Sequence, residues 1–247
     1  MKEKLEDSAS RTLSLISHKM RTPLSIINGY CDAINMNKEK EKFSPFTEKA
    51  FDEICKQGGK MATLVEKLLK FTKMENIVPT EMEKTEVNLK KIILKAAQAA
   101  VLVEDNQDSV TTKNDIVAKG PTKIEIMAPE DLVIDAEEKL LSNAIQELLE
   151  NAIKFNNRMD KVIKIYCYKH SNYISISVKD SGSGIRPGEI NKIFERFYQI
   201  DDFFTGQIDG WGLGLPYVKN VMDLHGGSIS VVSDYGLGSV FSLNIPL

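Results

Sequence analysis

The chain has few residues of the kinds that form disulfides or bind transition metals. Its 247 residues include only three cysteines and three histidines. The cysteines are far apart in the sequence, and none belongs to a C-x-x-C pair. This scarcity argues against a disulfide framework and against a zinc site. It is typical of proteins that work in the reducing cytosol.

Long apolar runs are also lacking. No stretch approaches the ~20 consecutive apolar residues that a membrane-spanning helix needs, and the charged start MKEKLED has no apolar signal core behind it. The net charge of −3 is too small to indicate nucleic-acid binding. We therefore expect a globular, water-soluble chain. Any membrane segments of a longer protein would lie upstream of Met1.

Two heptad-like apolar stripes run through residues 1–75, separated by the polar segment 35–44. Ser44-Pro45 supplies a helix cap and a first-turn proline for the second helix. Two helices with one narrow stripe each bury little surface alone, so we expect a symmetric dimer that forms a four-helix bundle. A generic coiled-coil linker remains an alternative. The stripes contain Leu5, Ala9, Leu13, Ile16, Met20, Leu24, Ile27, Cys31 and Ile34, then Phe46, Ala50, Ile54, Met61, Leu64, Leu68 and Phe71.

His18 lies on the outer face of the first predicted helix. It is two residues from both Ile16 and Met20, and a step of about 100° per residue turns it away from the apolar stripe. Thr22 follows one turn later on the same face, and Pro23 predicts a kink just below. An isolated exposed histidine usually has no functional role. The residues around His18 therefore decide whether it has one.

The composition changes after Asn76, where Val78-Pro79-Thr80 ends the helix. Beyond it, alternating strand and helix patterns predict a mixed sheet with helices on one face, which is an α/β sandwich. Residues 104–121 are polar and are predicted to be a loop. The predicted strands are 85–88, 123–127, 132–134, 162–168, 173–179, 228–233 and 239–245, and the predicted helices are 88–103, 137–155 and 216–224.

Three segments of this half have residues suited to nucleotide chemistry. Glu147, Asn151 and Lys154 share one helical face, where a carboxylate, an amide and an ammonium can hold hydrated Mg²⁺ and phosphates. A solvated polar face is the alternative. In segment 180–185, DSGSGI, the aspartate can accept a hydrogen bond from adenine, although such glycine pairs are more often turns. In segment 210–215, GWGLGL, glycines open a helix whose N-terminus can face phosphate.

The order of these segments resembles that of a known family. Ser17-His18-Lys19-Met20-Arg21-Thr22-Pro23-Leu24 resembles the phospho-acceptor box of histidine kinases. The three segments above resemble the N, G1 and G2 boxes of the histidine kinase ATPase domain, which gyrase, MutL and a heat-shock chaperone share more loosely. Residues 193–198 match its F box, and residues 236–239 match its final glycine turn. The resemblance, to the core of a sensor histidine kinase of two-component systems, covers nearly all of residues 10–247.

The resemblance implies ATP and Mg²⁺ as ligands and assigns roles to residues. His18 would be the phospho-acceptor, and Thr22 would serve a phosphatase activity. Asn151 would bind Mg²⁺, with Glu147 holding the metal through water. Residues 199–212 would form a lid over the phosphates. The ATP site would comprise Asn151, Lys154, Asp180, Gly182, Gly184, Ile185, Phe194, Arg196, Gly210, Gly212, Leu213, Gly214 and Leu215.

One position departs from the family pattern. The family has an acidic residue after the phospho-acceptor histidine, where this chain has Lys19. In the family that carboxylate is thought to take a proton from the imidazole, a general-base contribution of about 10²–10⁴-fold. An alternative function on the same fold is therefore a response-regulator phosphatase or signalling scaffold with weak kinase activity. A more remote alternative is an ATP-driven clamp like gyrase or MutL.

The expected domains are a dimerisation and histidine-phosphotransfer hairpin at 1–75, a linker with the first strand at 76–88, and an ATP-binding domain at 89–247. The expected partners are a second copy, bound through the hairpin, and the receiver domain of a response regulator. No nucleic-acid partner is expected. The chain is expected to be the cytoplasmic portion of a larger sensor.

Overall fold

A computed structural model describes residues 20, 24–32, 34, 44–102, 109–200 and 211–247. The chain divides into two compact units, Met1–Ile77 and Val78–Leu247. Within the described ranges, no helix combines the length and the apolarity that crossing a bilayer requires. The predicted site residues His18, Thr22 and Gly210 lie outside the described residues, as does Lys19.

The first unit contains a helical stretch at residues 24–32, called α1, and a long helix α2 at Pro45–Glu75. The start of α2 confirms the cap predicted from Ser44-Pro45. The Thr47 N–H donates a hydrogen bond to Ser44 Oγ at 3.1 Å. Such a cap satisfies one of the backbone donors that the first turn of a helix leaves without a partner.

The two helices of this unit approach each other closely. Leu24 of α1 packs against Val65 and Leu69 of α2 in a buried cluster. At Gly58 a Cβ atom would lie only 2.8 Å from Asn28 Oδ1. A glycine inside a helix costs about 1 kcal/mol relative to alanine, and here the missing side chain permits the close contact.

Much of the predicted apolar stripe remains exposed in the single chain. Phe46 is 82% exposed and Ile54 is 56% exposed. Tyr30 of α1, which lies outside the stripe, is 69% exposed. Large apolar side chains exposed on a narrow hairpin favour a binding partner. The second hairpin of the predicted four-helix bundle would supply one.

The second unit is built on a seven-stranded sheet in the order β2-β3-β4-β6-β7-β9-β8, with a separate two-stranded pair, β1-β5. β4 and β6 are parallel, and every other pairing is antiparallel. The strands are β1 Thr85–Asn88, β2 Thr111–Lys113, β3 Ile116–Lys119, β4 Thr122–Met127, β5 Val133–Ala136, β6 Lys161–Lys169, β7 Tyr173–Lys179, β8 Ser228–Asp234 and β9 Gly238–Pro246; the helices are α3 Leu89–Leu102, α4 Glu138–Lys154 and α5 Gly214–Leu224.

One face of this sheet is covered by the three helices. Alternate residues of the central strands point into the core, so that Ile165, Val178 and Phe241 form one buried row across β6, β7 and β9. The polar residues between them face the other side. This alternation produces the two-layer sandwich, and the α/β sandwich predicted from the sequence is confirmed.

The prediction that residues 104–121 form a loop is wrong in part, because the second half of this segment forms the β2–β3 hairpin. Asn114 and Asp115 have φ angles of 50° and 61° at the turn. Two consecutive positive φ angles are typical of the two-residue turn that matches strand twist, and Asn and Asp tolerate that conformation. β2 is short, polar and exposed, and β3 has only four residues, so neither gave a clear strand pattern.

Candidate active site

α4 presents an apolar face to the core and a polar face that the rest of the unit largely encloses. At its start, the Leu140 N–H donates a hydrogen bond to the Glu137 carboxylate, which caps the helix. Glu147 is only 7% exposed, and Asn151 is half-buried. A buried carboxylate is costly unless it is paired or has a ligand role. The polar face is therefore not a simple solvated surface.

Two polar side chains of α4 converge on the first residue of α5. A Cβ atom on Gly214 would lie 2.8 Å from Glu147 Oε2 and 3.6 Å from Asn151 Nδ2. No other residue type could occupy this position without displacing the Glu147 carboxylate. The N-terminal N–H groups of a helix carry partial positive charge and lack intrahelical partners. The fold thus brings together the residues predicted from the N box and the G2 box.

Asp180 directly follows β7 and anchors the loop that begins there. Its Oδ1 accepts hydrogen bonds from the N–H groups of Gly182 at 2.7 Å and Ser239 at 3.3 Å. Burial raises the pKa of the Asp180 carboxyl above its usual value, while those two N–H groups oppose the rise. With Oδ1 engaged in this way, Oδ2 is the oxygen suited to accept a hydrogen bond from a ligand.

The glycines after Asp180 are required by close backbone contacts. A Cβ on Gly182 would overlap the carbonyl oxygen of Phe155, just beyond α4. The Ser183 N–H donates to that same carbonyl at 3.1 Å. Gly184 has a φ of 65°, and a Cβ there would overlap the carbonyl oxygen of Asp234. These contacts join the loop to the end of α4 and to the β8–β9 turn.

Two serines that the sequence reasoning did not assign also shape this loop. Ser233 Oγ accepts a hydrogen bond from the Ile185 N–H at 2.8 Å and donates one to the Gly238 carbonyl at 3.0 Å. Ser239 Oγ lies 2.9 Å from Ser233 Oγ. The two serines sit directly opposite each other in the β8–β9 pairing. The one sequence signal that could have indicated this contact is the placement of the two serines on either side of the glycine-containing β8–β9 turn.

The F box ends beside the G2 glycines. Phe197 has a φ of 62°, and its N–H donates a hydrogen bond to the Gly212 carbonyl at 2.9 Å. Gly212 has a φ of 62° as well, and a Cβ there would lie 2.6 Å from the carbonyl oxygen of Tyr198. The Tyr198 hydroxyl donates a short hydrogen bond to Glu189. These contacts join Gly212, the last residue of the predicted lid at 199–212, to the residues just before it, while 201–210 lie outside the described residues.

The remaining predicted site residues differ in burial. Leu213 is 4% exposed and packs into the core. Lys154 Nζ lies 4.7 Å from the centroid of the Phe155 ring. Arg196 is exposed, whereas Ile185, Phe194 and Leu215 are half-buried. The roles assigned to all of these residues stay predictions.

His225 joins the end of α5 to the start of α4. Its ring is 3% exposed. The Glu137 N–H donates to Nε2 at 3.1 Å, and Nδ1 donates to the Val221 carbonyl at 2.8 Å. Because Nε2 accepts a hydrogen bond, the imidazole must be neutral with its proton on Nδ1. Burial lowers the pKa of His225; the Val221 carbonyl and Glu137 oppose this, and Lys84 adds to it.

We expect this contact to make the second unit less stable in mild acid. A histidine whose pKa is lowered by folding contributes stability fully above its unfolded pKa of about 6.5, and loses that contribution as pH falls toward the folded value. His225→Gln should therefore lower the free energy of unfolding by about 1–3 kcal/mol at pH ~8, with a smaller difference at pH ~5.5. Urea unfolding followed by Trp211, the chain's only tryptophan, measures this. The exposed His170→Gln is the control, and a deficit independent of pH would contradict the assignment.

The described residues contain no cluster of three or more His, Cys, Asp or Glu side chains suited to a metal ion. A Mg²⁺ ion commonly binds through one or two protein ligands and completes its shell with water and phosphate oxygens. The pair formed by Glu147 and Asn151 fits that mode and does not fit a metal cage made of protein alone.

Comparison with known families gives two matches. Residues 136–247 match the histidine kinase-, DNA gyrase B- and HSP90-like ATPase family. Residues 8–77 match the His Kinase A (phospho-acceptor) domain. The ATPase match identifies ATP as the nucleotide of this kind of domain. The phospho-acceptor match does not favour the clamp alternative.

Curated relatives match along almost the whole chain. The sensor protein kinase WalK of Staphylococcus saprophyticus is 26% identical over 246 residues, and that of Staphylococcus aureus is 25% identical over 250 residues. Both alignments cover 99% of this chain, but only 37% and 55% of those relatives. The chain thus spans roughly half of their length or less.

Solved structures show the same fold. The catalytic domain of the histidine kinase ThkA is 28% identical, with a TM-score of 0.52 over 67% of this chain and 98% of its own. Full-length ShkA, solved in complex with AMPPNP, is 22% identical, with a TM-score of 0.67 over 96% of this chain and 45% of its own. Both domain matches stand in the expected order, and the relatives extend across both units. Residues 8–77 and 136–247 therefore match, in the expected order, the two domains of a sensor histidine kinase catalytic core.

Proposed function

We propose that this chain is an ATP-dependent autokinase that phosphorylates His18 and passes the phosphoryl group to an aspartate of a response-regulator receiver domain. The observation that supports this best is the convergence of Glu147 and Asn151 on Gly214, at the N-terminus of α5. A buried carboxylate, an amide and a helix N-terminus at one point suit a phosphate chain that arrives with its metal ion.

The nucleotide would lie between the Asp180 loop and the start of α5. Asp180 would accept a hydrogen bond from the adenine amino group through Oδ2, because its Oδ1 is already engaged by backbone N–H groups. Lys154 would contact the phosphates. The base pocket would be framed by Gly182, Gly184 and Ile185, with Phe194, Arg196, Gly210, Gly212, Leu213 and Leu215 completing the site and its lid.

Mg²⁺ would be held by Asn151, with Glu147 binding through a water molecule. Hard oxygen ligands of this kind are those that Mg²⁺ prefers. When bound, the ion neutralises negative charge on the phosphate oxygens. The half-burial of Asn151 and the burial of Glu147 would restrict water at this point, which strengthens electrostatic interactions there.

In the transfer step, a nitrogen of the neutral His18 imidazole would attack the γ-phosphorus of ATP. The new N–P bond would form as the bond from phosphorus to the β,γ-bridging oxygen breaks, and ADP would leave with that electron pair. The phosphorylated ring would lose the remaining N–H proton, on its other nitrogen, to solvent or to a nearby base. Lys19 cannot act as that base while it is protonated, so we expect a slow reaction.

The exposed apolar residues of α1 and α2 favour a homodimer formed through residues 1–75. Phosphohistidine at His18 would then donate to an aspartate of the receiver domain, and Thr22 would help position the water that hydrolyses the resulting acyl phosphate in a phosphatase reaction. We propose a cytoplasmic location for this part of the protein. Its domains would be the hairpin at 1–75, the linker and first strand at 76–88, and the ATP-binding domain at 89–247.

Lys19 also favours a second candidate function. With no acid beside His18 and with Thr22 retained, the same fold could act mainly as a response-regulator phosphatase or signalling scaffold. The two candidates differ in the rate of phosphoryl transfer to histidine. They share the ATP site.

Incubation with γ-labelled ATP and Mg²⁺ separates these candidates. The autokinase function predicts label on the protein that is labile to acid and stable to base, as expected of an N–P bond. ATP binding without any label would support the phosphatase or scaffold function instead. Absence of both ATP binding and label would contradict both.

A charge reversal at Lys19 tests the reason for slow transfer. We expect Lys19→Glu to raise the initial rate of labelling by about tenfold or more, because it restores a general base. Lys49→Glu, an exposed position on α2, serves as the matched control and should leave the rate unchanged. Equal rates in the Lys19→Glu variant and the wild type would show that the missing acid does not limit the reaction.

A further inference from the structure

Two of the three cysteines belong to the two helices of the first unit. Cys31 lies on α1 and Cys55 on α2, and both carry free thiols. Cys31 is only 5% exposed, whereas Cys55 is half-buried and reaches the surface. The third cysteine, Cys167, is buried in the core of the second unit. A reagent in solution therefore reaches Cys55 first.

The contacts between α1 and α2 define how the two helices are aligned. Leu24 packs against Val65 and Leu69. Further along α1, Asn28 lies against Gly58. Because the contacted residue on α2 moves back in the sequence as α1 advances, the two helices run antiparallel.

This alignment places Cys31 opposite Cys55. Cys31 follows Asn28 by three residues, and Cys55 precedes Gly58 by three residues. Residues three apart in a helix lie on the same face, so both cysteines continue the faces on which α1 and α2 touch. The helices are close at this level, because a Cβ on Gly58 would lie only 2.8 Å from Asn28 Oδ1 and 3.2 Å from Ile27 Cγ2.

The two thiols interact as this alignment requires. The Cys31 side chain is a hydrogen-bond partner of the Cys55 thiol. Burial and this contact raise the pKa of the Cys55 thiol to about 11. The carboxylates of Asp52 and Asp32 add to the rise. Because the thiolate is the form that attacks a disulfide, Cys55 reacts slowly at neutral pH.

We propose that Cys31 and Cys55 form a reversible intrachain disulfide by exchange with a small-molecule disulfide, RSSR. The Cys55 thiolate attacks one sulfur of RSSR, which forms a mixed disulfide and releases one RS⁻. The Cys31 thiolate then attacks the Cys55 sulfur and releases the second RS⁻. The two protein thiols lose two electrons and two protons in total, and RSSR takes them up to become two RSH.

The disulfide would hold α1 and α2 in one alignment. A disulfide in a reducing compartment is usually transient and redox-sensing rather than a structural framework. A pair with one accessible and one buried thiol suits such a role, because the second thiol removes the reagent from the first. The inference goes beyond the proposed function and does not depend on it, since the reaction needs no nucleotide.

The test is equilibration of the full chain with reduced and oxidised glutathione, followed by acid quenching, alkylation and mass spectrometry. We expect Cys31 and Cys55 to be lost as free thiols and to be joined in one pair of tryptic peptides, while Cys167 is still alkylated. Dithiothreitol should restore all three thiols. A chain that loses no thiol, or that stops at glutathione bound to Cys55, overturns the inference. A disulfide between two chains, seen as a dimer on a non-reducing gel, also overturns it.

The same equilibrium shows whether the fold brings the thiols together. The equilibrium constant against glutathione gives the effective concentration of one thiol at the other. We expect this value to be at least about tenfold higher in the native chain than in concentrated urea, as for a disulfide that the folded state favours. Equal values would overturn the inference, because the pairing would then owe nothing to the fold.

Two neighbouring glycines test the alignment itself. Gly58→Leu forces a side chain into the closest contact between α1 and α2, and it should lower the effective concentration about tenfold. Gly59→Leu is the matched control, because nothing lies within 4 Å of a Cβ at that position. It should stay within about twofold of wild type. Equal effective concentrations in the two variants would overturn the alignment that pairs Cys31 with Cys55.

Discussion

Replacing Asp180 with asparagine should lower the affinity for ATP about 100-fold while the fold stays intact. The exchange keeps the size of the side chain, and the amide oxygen can still accept the Gly182 and Ser239 N–H groups that now bind Oδ1. The second oxygen, however, becomes an NH₂ group that meets the adenine amino group donor to donor. A buried site left with mismatched donors loses affinity by factors of this size.

The same substitution should change base preference, which a loss of folding could not do. An amide can donate to the 6-oxo group of hypoxanthine, so the preference for ATP over inosine triphosphate should shrink in Asp180→Asn. Binding of both nucleotides, measured by isothermal titration calorimetry, checks this. Asp131→Asn, at an exposed turn between β4 and β5, is the matched control. An unchanged preference for ATP would show that Asp180 does not read the base.

Gly184→Ala should destabilise the second unit by about 3 kcal/mol, which would be the largest stability effect among these variants. Gly184 has a φ of 65°, and a Cβ there would overlap the Asp234 carbonyl oxygen. Backbone atoms cannot move aside as a flexible side chain can. The same shift would move the loop that holds Asp180, so ATP affinity should fall as well.

Gly188→Ala is the matched control for this prediction, because nothing lies within 4 Å of a Cβ at that position. Urea unfolding monitored through Trp211 compares the two variants on the same unit. We expect Gly188→Ala to remain close to wild type. A Gly184→Ala variant within about 1 kcal/mol of that control would contradict the close contact between the loop and the β8–β9 turn.

Much of the fold could be predicted from the sequence because its main elements have strong periodicity. The apolar residues of α4, and the alternation in β6 and β7, follow from burial on one face. The β2–β3 hairpin was missed because both strands are short and β2 is polar and exposed, so that the Asn114-Asp115 turn is its main local mark. Local sequence carries little information where the stabilising contacts come from neighbouring strands.

The site was predictable to the extent that its residues are close in sequence. Glu147 and Asn151 share a helical face, and Asp180 lies only two and four residues before Gly182 and Gly184 in the sequence. The roles of Ser233 and His225 were missed, since they depend on contacts across the fold. Ser233 contacts Ile185, 48 residues away, and His225 contacts Glu137, 88 residues away.

We expect ATP bound in the second unit to phosphorylate His18. The most direct measurement compares label from γ-labelled ATP in wild type and in His18→Gln, with ATP affinity measured on both. We expect acid-labile, base-stable label in the wild type, no such label in His18→Gln, and equal ATP affinity in the two chains. Label of the same chemistry and extent in His18→Gln would contradict this expectation, because the phosphoryl group would then reside on another residue.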